Sequence, residues 1–297
     1  MPEIKHNLWK GKTDGTPWMH KTLIWLMRWT NLNVFYGIMA LVVPFYMIFN
    51  RHGYRSIYSF FRDRLEYPPL KSFFNVYANH FRFGQVILDR FAVFAGKSFN
   101  FDIDNYSLFE SLANSDKGFI ILGSHVGNYE MAGYSLVSKK TINALLFGGE
   151  TRAIMENRNN QLGGNNIKMI SVQDDMSHIF LLNNALSDGQ IVSIPSDRML
   201  GSSKHVNCMF FGEKAKFPTG AYVMSIDREV PMIAVFVMKL SGKKYKILVR
   251  NVEVRQEQNF SKREKISMLA SCFASNLEEV VREYPTQWFN YFDFWKQ

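Results

Sequence analysis

The stretch GFIILGSHVGNYE, residues 118–130, sets His125 and Glu130 five positions apart at the end of an apolar run. An imidazole backed by a carboxylate is a general-base pair: the carboxylate fixes the tautomer and stabilises the imidazolium formed when the ring takes a proton. Positions five apart diverge on one regular helix, where neighbours lie three or four apart. The pair therefore needs a strand-to-helix corner, with His125 before the helix and Glu130 folding back onto the other ring nitrogen. Glycines at 123 and 127 allow a tight, exposed turn there, and Asn128 is placed to cap the helix that follows. The outline matches the G-x-S-x-G elbow of hydrolases, but with His at its centre a serine triad is not indicated. A satisfied core histidine is the alternative reading of the bare pattern, which is common by chance.

Hydropathy supplies the elements that must position this corner. After residue 114, short β-rich runs alternate with helical stretches. Strands are predicted at 118–123, 142–147, 167–171, 191–195, 230–239 and 245–249, and helices near 129–137, 153–162, 177–186 and 220–226. Such alternation implies one α/β domain, residues 73–297, with a mixed central sheet flanked by helices. Apolar residues at helical spacing predict a helix from 73 to 94, stopping near Gly96. Ser261 to Glu264 is a capping box that opens a last helix bearing Ile266, Leu269, Phe273, Leu277 and Val281 on one face. The tail PTQWFNYFDFW, residues 285–295, is too aromatic for a loose end and should dock on the body or the membrane.

Residues 34–49 carry no charge but include Pro44, and at sixteen residues they are short for a span of roughly 20. Lys and Arg flank them evenly, so no positive-inside asymmetry sets an orientation. With Trp18, Trp25, Trp29, Tyr36, Tyr46, Tyr54 and Tyr58 along it, region 1–72 reads as a membrane-associating helical anchor, interfacial or re-entrant. A buried helix hairpin is the other reading of so short an apolar run.

A hydrophobic share of 47% excludes global disorder, and a net charge of +9 points to an acidic partner: nucleic acid, an anionic membrane or an acidic carrier protein. The basic residues never form a run of five or six, and zinc-finger, P-loop and dinucleotide fingerprints are missing, so nucleic acid is not expected. Cys208 and Cys272 stand apart, which suits a reducing, cytoplasm-facing site. No cleaved signal peptide is expected. His178 and His205 lack carboxylate or thiol companions at ligand spacing, and no metal or cofactor is expected.

The segment GSHVGNYEMAG resembles the first motif of the lysophospholipid acyltransferase superfamily, in particular the H-F-G-N-W-E stretch of its lipid A late-acyltransferase branch. IVSIPSDRMLGS, residues 191–202, is similar to the Pro-Asp region of that branch and puts Asp197 in the equivalent place. VNCMFFGEKAKFPTG, the Val230-Pro231 strand and the closing Pro285-x-x-Trp288 extend the resemblance, with Gln287 displaced toward the Trp. Arg152 resembles the family's phosphate-binding Arg after the second strand, with Arg158 the nearest competitor. The glycerol-phosphate branch has F-P-E-G-T-R where this chain has Ile194-Pro195-Ser196-Asp197-Arg198, which makes glycerol 3-phosphate a less apt acceptor.

The resemblance implies an O-acyltransferase of bacterial envelope lipid biosynthesis, peripheral or monotopic on the cytoplasmic face of the inner membrane. It would move a fatty acyl group from acyl carrier protein or acyl-coenzyme A to a hydroxyl of a lipid A precursor or an aminolipid. His125 and Glu130 are then catalytic; Arg152, Arg158, Asp197, Gly127 and Asn128 bind substrate, the backbone N–H groups beside Gly127 and Asn128 serving the oxyanion. A non-catalytic scaffold of the same fold and a lipid esterase are the alternatives.

Overall fold

In a computed structural model that describes residues 16–146, 166–173, 175–199, 204–254 and 260–297, four α-helices precede the sheet, the third running on into a short π-helix, Phe60–Arg64. They are α1 (Pro17–Trp29), α2 (Leu32–Phe49), α3 (Arg51–Ser59) and α4 (Pro69–Phe94). Asn31 caps α2 by accepting from the Asn33 N–H at 2.9 Å. The helix passes through Pro44, is 18 residues long with mean hydropathy 2.0, and only 22% of it is buried. At 1.5 Å per residue that is about 27 Å, close to the roughly 30 Å of bilayer hydrocarbon. Leu32, Tyr36, Val43 and Met47 face inward, whereas Val34, Ile38, Leu41, Phe45 and Ile48 form an exposed apolar stripe at helical spacing. The hairpin reading is thus half met: one face packs, through Tyr36 and Leu32, against Leu88, Phe91 and Ala92 of α4, and the other is bare.

The α/β part runs β1 (Asn100–Asp104), α5 (Tyr106–Asn114), β2 (Phe119–Gly123), β3 (Ile142–Leu146), β4 (Ile167–Ser171), α6 (Ser177–Ser187) and β5 (Ile191–Pro195). A hairpin follows, β6 (His205–Phe210) with β7 (Glu213–Pro218). Then come α7 (Gly220–Arg228), β8 (Met232–Ser241), β9 (Lys244–Val252) and α8 (Lys262–Glu283). Seven strands make one mixed sheet in the order β1-β9-β8-β2-β5-β3-β4, every neighbouring pair parallel except β8 with β9. Successive residues of β2 serve opposite faces: Ile120 and Leu122 join the core under α6, α7 and α8, while Phe119 and Ile121 join Phe109 and Met131 on the other side. Burial on both faces is why β8 opens as an apolar run from Met232 to Met238.

The predicted strands and the last helix stand within a few residues of their expected bounds, and α8 carries both hydrogen bonds of its capping box. The helix predicted at 129–137 is instead a 3-10 segment, Tyr129–Tyr134. It is short because its approach is still paired to the sheet, the Asn128 N–H donating to Val237 O, and Gly133 weakens any continuation. The helix predicted at 153–162 lies outside the described residues.

Candidate active site

Gly123 at the end of β2 stands opposite Pro195 at the end of the parallel neighbour β5. Two residues beyond each strand the chain presents His125 and Asp197, so both emerge at the carboxyl edge of the sheet, where α/β folds place their ligands. Asp197 Oδ2 accepts from the His125 backbone N–H at 2.8 Å, and Oδ1 from His125 Nδ1 at 2.8 Å. Asp197 is fully buried, while 24% of the His125 side chain remains exposed. An ionised carboxylate only accepts, so the proton sits on Nδ1 and Nε2 carries the free lone pair.

Burial, then the nearby Arg198 guanidinium, push the His125 pKa below its ordinary value and outweigh the raising pull of Asp197. Burial tends to raise Asp197, but His125, Arg198 and the His125 backbone N–H hold it below the usual carboxylate range. The resulting state, neutral imidazole over ionised carboxylate, is the one a general base needs at neutral pH. Arg198 itself donates from Nη2 to Phe289 O at 2.7 Å and lies 5.2 Å over the Phe292 ring. Its Nε is buried and makes no hydrogen bond among the described residues.

The corner that carries His125 is clamped from two sides. Gly127 N–H donates to Gln287 O at 2.8 Å and Asn128 N–H to Val237 O at 2.8 Å, while the Phe289 N–H donates to His125 O at 3.1 Å. Gly127 has φ +65°, and a Cβ there would stand 2.0 Å from Val237 O, so the close approach to β8 requires glycine. The tail therefore docks on the body. Trp288 is buried among Phe60, Phe210 and Phe294, the Gln287 side-chain amide pairs with both backbone groups of Lys239 at 2.9 Å, and Asn79 of α4 donates to Trp288 O at 2.8 Å.

Behind the corner lies a buried polar network. Asn128 Nδ2 donates to the Tyr245 hydroxyl at 3.1 Å, Tyr245 donates to Asp89, and Asp89 is ion-paired with Lys239, neither side chain being exposed. Lys239 also donates to Gly242 O at 2.6 Å and to the Tyr36 hydroxyl at 3.1 Å. The network ties α2, α4, β8 and β9 to the residue three positions after His125.

Several sequence expectations are corrected by this geometry. The carboxylate on His125 is Asp197 rather than Glu130; Glu130 forms an ion pair with Arg90 of α4. The cause is tertiary: the β5 end is adjacent to the β2 end, whereas Glu130 leaves along the 3-10 segment toward α4. Asp197, expected on substrate, serves the imidazole instead. The Gly127 and Asn128 N–H groups, expected to serve an oxyanion, are committed to Gln287 and Val237, and the Asn128 side chain goes to Tyr245 rather than capping a helix. Arg152 and Arg158 lie outside the described residues. Sequence reasoning passed over Arg198, although a charge beside Asp197 at the end of the apolar run IVSIP was a usable signal. It had no signal for Arg90 or for the Asp89–Lys239 pair, whose partners lie far apart in the chain.

A buried carboxylate orienting a neutral, partly exposed imidazole at the open edge of an α/β sheet is an arrangement able to abstract a proton. The profile of the family described as bacterial lipid A biosynthesis acyltransferase matches residues 96–297, which hold the whole sheet, His125 and Asp197. The chain belongs to that family and is an acyltransferase of lipid biosynthesis. No curated protein matches the chain.

Proposed function

We propose that the protein transfers a fatty acyl group from an acyl thioester, acyl carrier protein or acyl-coenzyme A, to a hydroxyl of a lipid A precursor or related aminolipid. The reaction takes place on the cytoplasmic face of the bacterial inner membrane. The observation that carries this reading is the His125–Asp197 pair, with Nε2 left as the basic nitrogen. His125 Nε2 takes the proton of the acceptor hydroxyl as its oxygen attacks the thioester carbonyl. The tetrahedral intermediate then collapses, the C–S bond breaks, and the imidazolium returns its proton to the departing sulfur. The acyl group passes directly, without a covalent acyl-enzyme. Arg198 supplies positive charge beside the reacting imidazole, which favours the developing oxyanion electrostatically. Arg152 and Arg158 hold a phosphate of acceptor or donor. The bare apolar face of α2 supports membrane association, and the net charge of +9 suits an acidic carrier protein as donor.

The test is mass spectrometry of lipids after incubating the full-length protein in bilayers containing a lipid A precursor or an aminolipid with acyl carrier protein or coenzyme A thioesters. Acylated acceptor should form with wild type and not with His125→Ala, and the carrier-dependent rate should fall as salt rises. Release of free fatty acid without acylated lipid would make the protein an esterase. Preference for the coenzyme A donor at every salt concentration would remove the carrier alone.

A further inference from the structure

Against the C-terminal end of α2 lies a cavity of about 660 Å³, within the roughly 300–1,000 Å³ of ligand pockets. Ile48 of α2 and Phe73, Phe74 and Tyr77 of α4 wall it with carbon, and Arg51 and Arg55 of α3 are its only charged lining groups among the described residues. Four positions apart on one helix, the two arginines share a face. Both are exposed, and neither is paired with a carboxylate among the described residues. The order along the chain matches the depth profile of a lipid. The exposed stripe from Val34 to Ile48 and the exposed Phe73 and Phe74 present hydrocarbon-like surface, and Arg51 stands two residues past the apolar helix's last residue, Phe49.

We propose that this trough binds one anionic phospholipid of the bilayer, an acyl chain against Ile48, Phe73 and Phe74 and the phosphate between the Arg51 and Arg55 guanidiniums. Guanidinium forks grip phosphate oxygens in pairs, and two of them without carboxylate partners select an anionic headgroup over a neutral one. A neutral acyl chain alone would need no such cations at the rim. The site is separate from the His125–Asp197 pair in its residues. It rests on the membrane-association part of the proposed function and not on the transfer reaction.

Native mass spectrometry of the full-length protein, delipidated in detergent and titrated with phosphatidylglycerol or phosphatidylcholine, reads the site directly. Wild type should retain one phosphatidylglycerol at least about tenfold more tightly than phosphatidylcholine, and inorganic phosphate should not compete because it lacks the chain. Arg51→Gln/Arg55→Gln should abolish the preference, and Ile48→Trp, which fills the trough, should weaken both lipids. Lys21→Ala/Arg28→Ala removes the same charge from α1, outside the trough, and should change nothing. Equal binding of the two lipids by wild type, or equal loss in the α1 control, overturns the proposal, as does displacement by phosphate. Liposome pelleting of wild type separates the two readings: pelleting without a phosphatidylglycerol preference sinks the trough alone, and failure to pellet removes membrane association and the trough together.

Discussion

Replacing Asp197 with Asn preserves the side chain's size and reverses its chemistry. Asp197 accepts twice, from the His125 backbone N–H at 2.8 Å and from Nδ1 at 2.8 Å. Asn offers one acceptor and one donor. A backbone N–H cannot accept, so the amide oxygen must face it and the amide NH₂ must face Nδ1. Nδ1 then becomes the acceptor, and the ring proton moves to Nε2, the nitrogen meant to take the substrate's proton. Restoring the working tautomer sets NH₂ against N–H in a fully buried place, and an unsatisfied buried donor costs about 1–3 kcal/mol. Loss of the charge-assisted bond to the imidazolium adds about 1.5–3 kcal/mol. Together these predict a fall in kcat of about 10²–10⁴, at roughly 1.4 kcal/mol per tenfold.

Initial rates of acyl transfer at saturating substrates, with folding checked by circular dichroism, measure it. The double variant with His125→Ala should be no slower than His125→Ala alone, because the two act as a unit. A folded Asp197→Asn enzyme within tenfold of wild type would refute the reasoning, as would losses that multiply. The pH profile adds a sharper discrimination. Asp197 pulls the His125 pKa upward, so Asp197→Asn should move the acid limb lower, whereas Glu130→Gln, acting on Arg90, should leave the limb in place. A limb that moves with Glu130 and not with Asp197 returns the supporting role to Glu130.

Arg198→Gln removes a charge that depresses the His125 pKa, so the acid limb of kcat/KM should move to higher pH; an unmoved limb would separate Arg198 from the imidazole. Because His125 is held neutral in the folded protein, its contribution to stability is full above about pH 6.5 and is lost as pH falls through its lowered folded value. Urea melts of wild type against His125→Ala should differ in slope over that acid window. Gly127→Ala should lose at least about 1–2 kcal/mol from its positive φ alone, with further loss from the Val237 contact, and a melt unchanged from wild type would contradict the close approach. Asp89→Asn, which leaves Lys239 buried without its counter-charge, should cost about 3–5 kcal/mol in chemical denaturation, and a loss under 1 kcal/mol would mean the network is not closed as described.

Local chemistry made much of this protein legible. The strand-then-turn reading of residues 118–130 follows from an apolar run broken by Gly123 and Gly127, and β2 and the corner are where that reading puts them. Ser261 and Glu264 fixed the start of α8 for the same reason, since a cap is made within four residues. The docking of the aromatic tail was also foreseeable, because burying Trp288 and its neighbours is favourable wherever a surface exists. The sequence by itself therefore determined most of the elements, the histidine at the corner and the apolar segment, but not the 3-10 turn at Tyr129–Tyr134, β1 or the β6–β7 hairpin. The partner of that histidine was decided by sheet order. Asp197 reaches His125 only because β5 pairs beside β2, a contact 72 residues apart that no spacing rule encodes, and the shorter spacing to Glu130 pointed elsewhere. The backbone donors at Gly127 and Asn128 looked free until β8 and the tail closed on them. Pairing across the sheet assigns hydrogen-bond partners by position in space, and that assignment belongs to the tertiary structure alone.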